Sequence, residues 1–173
     1  GEREAEQVEG IRTTASLFTT LGIEPLMGRL FTQAEEKVSA DRVTLVCESM
    51  WRRTFDSDPG IVGRRIMLND QTFTIIGVVP DWRLRPTDNP ADMVGPLRLT
   101  DRTAPADLMF ISGVARLRPS ETVARAQEQL LSTVLRANPT AEPKPQVFLM
   151  PLRDRFVANS RGVLMALMGA VGF

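Results

Sequence analysis

The chain of 173 residues contains no histidine, and Cys47 is its single cysteine. The missing histidine excludes Ser-His-Asp and Cys-His nucleophile systems, because both need an imidazole base. It also argues against transition-metal sites, which usually need histidine or several cysteines as ligands. One thiol forms no internal disulfide, so cysteine usage does not identify the cellular compartment. The possibilities that remain are a site that uses carboxylates alone, or a protein without catalytic chemistry.

Net charge is also lacking, since 21 basic residues balance 21 acidic residues. The basic residues are nearly all arginine, with lysine only at Lys37 and Lys144, and no run of the sequence concentrates them. A neutral chain without a basic run lacks the electrostatic footprint of a nucleic-acid-binding protein. Its length and 43% hydrophobic content indicate one globular domain, or one domain with an appendage.

The two ends of the sequence carry different signals. No charged segment followed by an apolar one opens the chain, so no signal peptide is visible. Residues 162–173 are apolar, but these twelve residues are fewer than the roughly 20 that cross a bilayer. Gly162, Ala166 and Ala170 follow the small-residue spacing of packed membrane helices. The segment is either a C-terminal core helix or the start of a transmembrane helix.

Short strands and helices alternate along the chain. Strands are predicted at 8–14, 43–47, 110–117 and 146–152, and helices at 15–21, 48–55 and 120–137. A β-hairpin is predicted at about 65–79, with its turn at Asn69-Asp70-Gln71. Either Ser120 or Thr122 is expected to cap the last helix. Strand–helix–strand therefore occurs twice, which predicts a compact α+β domain with a mixed β-sheet, packed helices and βαβ-type units.

The segment from Trp82 to Pro105 is rich in proline and aspartate and has little periodicity. A short strand around Val94 to Leu99 is its only regular feature. We expect an irregular excursion or a small subdomain there.

The sequence DSDPG resembles the beginning of a calcium loop, with Asp56, Asp58 and Gly60 in the first five positions. A complete loop needs ligands at its fifth and seventh positions and a bidentate glutamate at its twelfth. Counted from Asp56, those positions hold Gly60, Val62 and Met67. The segment is therefore predicted to be a turn that ends a helix.

Gly60 to Gly63 has the glycine content of a phosphate cradle. A Walker loop requires Lys-Ser or Lys-Thr after its last glycine, followed by a helix. Here Arg64-Arg65 follows and a strand is predicted, so this segment is also interpreted as a turn.

Two carboxylate pairs, Glu35/Glu36 and Asp88/Asp92, lie in polar sequence and are predicted to be solvated. Aromatic and methionine side chains could line an apolar pocket, but core packing explains them equally well. They are Trp51, Trp82, Met50, Met93 and Met109. Trp51 is assigned to the core, and Trp82 is the better candidate for an exposed contact. We predict no catalytic, cofactor-binding or metal-binding residue, and no enzyme.

Four runs carry a resemblance to a known family: LFTTLGIEPLMGRLF, VTLVCESMWRRTFDSDPGIVGRRIMLNDQTFTIIGVVP, VARLRPSETVARAQEQL and RGVLMALMGAVGF. In this order they resemble the MacB-like periplasmic core domain, followed by the start of the FtsX-like permease region of ABC transporters. The second run is the most specific, since it contains Trp51-Arg52-Arg53, Asp58-Pro59, Val62-Gly63-Arg64 and Gly77-Val78-Val79-Pro80. Asp70 departs from the family pattern, which commonly has the glycine of an Asn-Gly turn there. Aspartate also occupies such turns.

The resemblance implies that residues 1–158 form an extracytoplasmic core domain whose N-terminal part is missing from this sequence. Within it, a less regular subdomain is expected at about 81–108. Residues 159–173 would begin a transmembrane helix of the permease region.

The resemblance also implies a function. The domain would carry no chemistry, would bind no cofactor, and would transmit ATP-driven conformational change for export or efflux. ATP would be bound by a separate ATPase domain or subunit. The expected partners are that ATPase, a second permease copy and a periplasmic adaptor protein, with no nucleic acid. The domain would lie on the periplasmic side of the bacterial inner membrane, attached through the C-terminal helix.

The rival interpretation is a free-standing soluble module that binds a ligand or protein through the excursion from Trp82 to Pro105. An enzyme that uses carboxylates alone is a more remote third interpretation. Fold does not fix function, so the transported substrate is not predicted.

Overall fold

A computed structural model of the protein describes residues 7–82, 91–98, 113–137, 139–140 and 146–154. These residues fall into two compact units. The sheet unit comprises 7–82, 91–98 and 113–114, and the C-terminal unit comprises 115–137, 139–140 and 146–154. Within these ranges, no helix has the length and apolar character needed to span a membrane. The predicted boundary between residues 158 and 159 lies outside the described residues and stays a prediction.

One mixed β-sheet forms the sheet unit. Its described strands are β1 (Gly10–Thr13), β2 (Met27–Gly28), β3 (Val43–Cys47), β4 (Arg65–Leu68), β5 (Gln71–Val79) and β6 (Met93–Pro96). Their order across the sheet is β1-β6-β3-β5-β2, and β4 also pairs with β5. β1 is parallel to β6 and β3 is parallel to β5, whereas the other pairs are antiparallel. The predicted α+β fold with a mixed sheet is confirmed.

Helices cover the two faces of this sheet. Helix α1 (Ala15–Leu21) packs on the first face through Phe18, which joins Val43, Leu45 and other buried residues. Helix α2 (Glu48–Thr54) packs on the second face through Met50, beside Val46. Alternate residues of β3 point to opposite faces, which explains why all five are buried. The βαβ unit predicted around Trp51 is confirmed, because α2 lies between the parallel strands β3 and β5 in the chain.

The hairpin β4–β5 closes through a two-residue turn. Asn69 and Asp70 both have positive φ, 47° and 58°, as the tight hairpin turns that match strand twist require. Leu68 pairs with Gln71, so the turn is one residue shorter than the predicted Asn69-Asp70-Gln71. Aspartate thus occupies the position where the family commonly has glycine.

Two separate chain segments lie end to end along the outer edge of β5. β2 pairs with Val78 and Gly77, and the Arg29 N–H then donates to the Ile76 carbonyl at 3.0 Å. The second segment continues the ladder where the Gly63 N–H donates to the Ile75 carbonyl at 2.7 Å, and β4 follows. No strand is predicted from the sequence at β2, because a two-residue strand has no periodicity to detect.

The pairing of β2 with β5 depends on two glycines. Gly28 has φ +72°, and a Cβ there would overlap the Ile76 carbonyl oxygen. A Cβ on Gly77 would lie 2.6 Å from the Arg29 oxygen and 2.8 Å from the Met27 oxygen. Both obstacles are backbone atoms, which cannot rotate away. Only glycine lets the two strands approach this closely.

Two further strand predictions in the sheet unit hold with changed boundaries. The strand predicted at 8–14 is shorter, Gly10–Thr13. The strand predicted around Val94 to Leu99 begins one residue earlier and ends at Pro96. Such shifts are usual, because hydrogen-bonding partners, not side-chain patterns, decide where a strand ends.

The C-terminal unit contains one long helix, α3 (Val123–Ala137). Its first turn is capped by Thr122, whose hydroxyl accepts the Arg125 N–H at 3.3 Å. The helix has no buried residue, and Leu130 is 43% exposed. Val123, Ala126, Leu131 and Val134 are half-buried.

Two predicted strands are wrong in this part of the chain. Residues 113–117 and 146–150 are not strands, and residues 152–154 are helical. A strand needs a neighbouring strand to bond, whereas the Leu149 N–H donates to the side-chain oxygen of Gln127 at 3.2 Å. The second predicted strand–helix–strand unit is therefore not formed by the described residues. Residues 110–112 lie outside them.

Candidate functional site

The segment DSDPG forms a turn, which the Asp58 carboxylate stabilises. The Asp58 carboxylate accepts the Gly60 N–H at 2.8 Å, and the Asp58 carbonyl accepts the Trp51 indole N–H at 2.9 Å. Asp56 and Ser57 have positive φ, and the Ser57 N–H donates back to the Trp51 carbonyl at 3.1 Å, which ends α2. Among the described residues, no three potential metal-ligating side chains come together. The turn predicted here is confirmed.

The predicted turn at Gly60 to Gly63 is also confirmed. Ile61 between the two glycines is fully buried, and the Gly63 N–H bonds the Ile75 carbonyl. Gly63 has φ +92°, which favours glycine strongly. Because this N–H is already bonded within the sheet, it is not available to a phosphate.

Glu35 is not the solvated carboxylate that the sequence predicted. It lies in a 3₁₀ helix (Gln33–Glu36) and accepts two bonds from the Arg29 guanidinium, at 2.8 and 2.9 Å. It also accepts the Thr32 N–H at 2.7 Å, as in a capping box. The bonds from Arg29, and then those from Thr32, lower the pKa of Glu35 to about 2 against the cost of burial. Glu36 accepts the Ala15 N–H at 2.7 Å at the start of α1.

Asp92 is likewise a structural carboxylate. It accepts the Glu9 N–H at 2.9 Å and a guanidinium N–H of Arg53 at 3.0 Å. It therefore links the residue before β1, the start of β6 and helix α2. Its predicted partner in a carboxylate pair, Asp88, lies outside the described residues.

The carboxyl ends of β3 and β5 meet at one end of the sheet, which is where open α/β sheets usually bind ligands. Cys47 ends β3, and the Asp81 carboxylate, just beyond β5, accepts the Ser49 N–H at 3.1 Å. Burial, followed by the charges of Asp81 and Asp92, raises the pKa of the Cys47 thiol to about 12. A buried thiol with so high a pKa is not a nucleophile at neutral pH. The geometry therefore supports packing at this end of the sheet.

Four of the five aromatic and methionine side chains considered for an apolar pocket pack in the core. Met50 and Met93 are buried on the second face, where Trp51 packs beside them, as predicted. Trp82 is not the exposed contact that its loop position indicated, because its ring meets Phe18 edge-on at 6.4 Å and packs on the first face. Met109 lies outside the described residues.

Sequence reasoning missed two features that tertiary structure creates. The Arg29–Glu35 pair had one detectable signal, the capping-box spacing from Thr32 to Glu35. A group of three arginines had none, because its members are about 30 or more residues apart. Arg12 lies in β1, Arg42 directly precedes β3, and Arg98 follows β6. The sheet order β1-β6-β3 places all three at one end of neighbouring strands.

Comparison with known proteins identifies the fold and the family. The family model of the MacB-like periplasmic core domain matches residues 1–133. The periplasmic region of MacB from Actinobacillus actinomycetemcomitans is similar, with 16% identity and a TM-score of 0.56. That match covers 88% of this chain and 64% of the MacB chain, so this chain spans a little under two thirds of its length. No protein of curated function matches.

A weaker likeness links the chain to the extracellular domain of the noncanonic ABC-type transporter YknZ from Gram-positive bacteria. Identity is 16% and the TM-score is 0.43, over 56% of this chain and 48% of that chain. The resemblance noted in the sequence is confirmed by the family match, which covers well over half of the residues. The protein belongs to the family of MacB-like periplasmic core domains, which are parts of ABC-type transporter permeases.

Proposed function

We propose that the protein is the extracytoplasmic domain of a MacB/FtsX-type ABC permease and transmits ATP-driven conformational change without catalysing a reaction. The family match over residues 1–133 is the observation that carries this proposal. ATP is bound by a separate ATPase domain or subunit, and the transmitted motion drives export or efflux. The permease works as a pair of copies in the bacterial inner membrane, with a periplasmic adaptor as a further partner.

The bonding of the sheet unit supports a mechanical role. Arg29, at the end of β2, links the paired strands β2 and β5 to the 3₁₀ helix through its bonds to Glu35. Asp92 links α2 to the starts of β1 and β6. These hydrogen bonds join helices and strands within the sheet unit. Because a close-packed protein interior transmits strain, a displacement at one edge of the sheet is expected to reach the opposite edge.

Side-chain chemistry also supports a domain without catalysis. The carboxylates Glu35, Asp58, Asp81 and Asp92 accept hydrogen bonds from backbone N–H groups at helix starts, turns and strand ends. The Cys47 thiol is protonated at neutral pH because its pKa is about 12. These groups therefore hold the fold together, and none is poised for acid–base or nucleophilic work.

Distance measurements between two copies test the proposal. Met67 on β4 is 72% exposed, so a nitroxide on a Met67→Cys variant projects into solvent. Cys47 stays unlabelled, because it is buried and its thiol is protonated. The full-length permease and its ATPase are reconstituted in nanodiscs, and the label separation is measured by pulsed electron resonance. We expect the separation to change when the ATPase is trapped with nucleotide and vanadate.

Two controls accompany this measurement. The protein with Met67 intact checks that Cys47 takes up no label, and a hydrolysis-deficient ATPase checks that any change needs its catalytic cycle. An unchanged label separation during active ATP hydrolysis would contradict the transmission of motion.

The reading frame beyond Phe173 separates this proposal from the soluble binding module. About eight more apolar residues would complete a membrane span and support the permease. A polar continuation at that point would favour the module.

A further inference from the structure

Two large apolar side chains of the C-terminal unit project into solvent from the segment 146–150. Phe148 is 80% exposed and Met150 is 62% exposed. Among the described residues, no large apolar side chain is more exposed than Phe148. Single exposed apolar side chains are normal on protein surfaces, whereas contiguous ones mark contact sites.

The segment has a covered side and an open side. Val147 and Leu149 are half-buried, and they alternate with the exposed residues Phe148 and Met150. The Leu149 N–H donates to the side-chain oxygen of Gln127 at 3.2 Å, which ties this backbone to α3. Because α3 holds the segment in this register, Phe148 and Met150 stay together on the open side.

Positive charge follows the open side in the chain. Arg153 is 86% exposed, and its Nε lies 3.6 Å from the Asp154 carboxylate, so this ion pair leaves most of the guanidinium in solvent. Residues 151–161 contain three arginines and one aspartate as their only charged residues. Exposed apolar side chains beside a segment of net positive charge suit the surface of an anionic bilayer.

The length of chain beyond Met150 limits how far this surface lies from the membrane. The apolar run begins at residue 162, twelve residues after Met150. Twelve residues span at most roughly 40 Å when fully extended. If residues 162–173 begin a transmembrane helix, the open side of 146–150 is therefore within reach of the bilayer that this helix enters.

We infer that Phe148 and Met150 contact the outer surface of the bilayer that anchors the permease, with Arg153 among the lipid phosphates. This inference rests on the proposed function, because it takes residues 162–173 as the start of a membrane helix. A phenyl ring and a thioether enter the boundary between headgroups and acyl chains without leaving a strong hydrogen-bonding group unpaired. Arg153, three residues further on, extends its apolar stem along that boundary and donates to phosphate oxygens.

Nitroxide accessibility in the full-length permease tests this contact. The label is placed on Phe148→Cys or Met150→Cys, and Cys47 stays unlabelled because it is buried. The permease is reconstituted with its ATPase in vesicles of phosphatidylcholine and phosphatidylglycerol. Collisions of the label with oxygen, which concentrates in lipid, are compared with collisions with a water-soluble nickel chelate.

The matched control is the label on Met67→Cys, because Met67 is a methionine of the sheet unit that is 72% exposed. We expect the ratio of oxygen to nickel collisions at positions 148 and 150 to be several times the ratio at position 67. Equal ratios at the three positions would overturn the membrane contact. Protection of positions 148 and 150 from both reagents would also overturn it, since a protein partner would then cover them.

The same samples separate a failure of this inference from a failure of the proposed function. A permease that embeds in the vesicles and changes its label separation with nucleotide, but has equal collision ratios, contradicts the membrane contact alone. A chain that does not embed in the vesicles contradicts the proposed function, and this inference with it.

A charge variant tests Arg153 separately. With the label at position 148, Arg153→Gln should lower the collision ratio more in vesicles that contain phosphatidylglycerol than in pure phosphatidylcholine. The control is Arg136→Gln, which removes another exposed arginine of the same unit from α3. Equal effects of the two variants would overturn the placement of Arg153 among the phosphates.

Discussion

The sheet unit and the C-terminal unit differ in how their apolar residues are used. Every described apolar side chain that is buried lies in the sheet unit, from Phe18 to Val94. In the C-terminal unit, α3 buries no residue, and Phe148 and Met150 are 80% and 62% exposed. Both units contain segments with clear apolar patterns. The difference teaches that a pattern indicates the local element, whereas burial needs a partner surface.

The source of that partner surface is the pairing of distant segments. β3 and β5 lie side by side although a helix and a strand separate them in the chain. This pairing puts Leu45 and Val79 into one cluster and Val46 and Val78 into another. No comparable strand pairing occurs among the described residues of the C-terminal unit.

The largest expected effect compares one leucine from each unit. Leu45 is fully buried, so Leu45→Ala should lower the free energy of unfolding by about 3 kcal/mol through lost burial and a residual cavity. Leu130 is 43% exposed on α3, and Leu130→Ala should cost less than about 1 kcal/mol. Urea unfolding followed by circular dichroism measures both. Equal costs for the two variants would remove the contrast between the units.

A second, smaller effect tests the close approach of β2 to β5. Gly77→Ala places a Cβ 2.6 Å from the Arg29 oxygen, so the backbone of β2 must move. We expect a loss of about 2 kcal/mol, as for other overpacked sites. Gly95→Ala is the matched control in the same sheet, because its Cβ meets no atom within 4 Å. If both variants have the same urea midpoint, the close approach of β2 to β5 is not a constraint.

The smallest effect concerns the pH dependence of the Arg29–Glu35 pair. Folding lowers the pKa of Glu35 from 4.5 to about 2, so the paired carboxylate stabilises the protein above pH 4.5. This contribution is lost as the pH falls towards 2. Glu35→Gln should therefore cost about 1 kcal/mol at neutral pH, since solvent weakens a partly exposed pair. The difference from the unaltered protein should vanish near pH 2.

Chemical denaturation at a series of pH values measures this prediction. Glu24→Gln is the control, because it removes the same charge from an exposed position in the same unit. A Glu35→Gln cost that stays constant from neutral pH to pH 2 would show that the carboxylate's charge is not involved.

Much of the fold and little of the surface could be predicted from the sequence. The run from Val43 to Val79 was predicted element by element: buried strand, helix, turn and hairpin. Each of these signals acts between residues that are close in the chain, such as Asp58 with Gly60 and Asn69 with Asp70. The strand predicted at 146–152 failed because its alternation is local, while a strand needs a distant edge to bond.

For the candidate site residues too, predictions that depend on neighbouring residues were confirmed, and contacts between distant residues were missed. The turn at DSDPG was predicted because its Asp-Pro-Gly chemistry is local. The pairing of Asp92 with Arg53 was missed because a solvated and a paired carboxylate have the same sequence signature. For Glu35, the capping-box spacing from Thr32 indicated a structural role, but it did not indicate Arg29 as the partner.

By itself, the sequence determined the class of the fold, the helix–turn–hairpin run and the family to which the protein belongs. It also excluded histidine-dependent chemistry, since it contains no imidazole. Only the tertiary structure decided that β2 continues the edge of β5 and that Gly28 and Gly77 meet there. It alone brought the three arginines to one end of the sheet. The physical reason is that hydrogen bonds across a sheet join residues that lie far apart in the chain, so the order of strands, not the order of residues, sets which side chains meet.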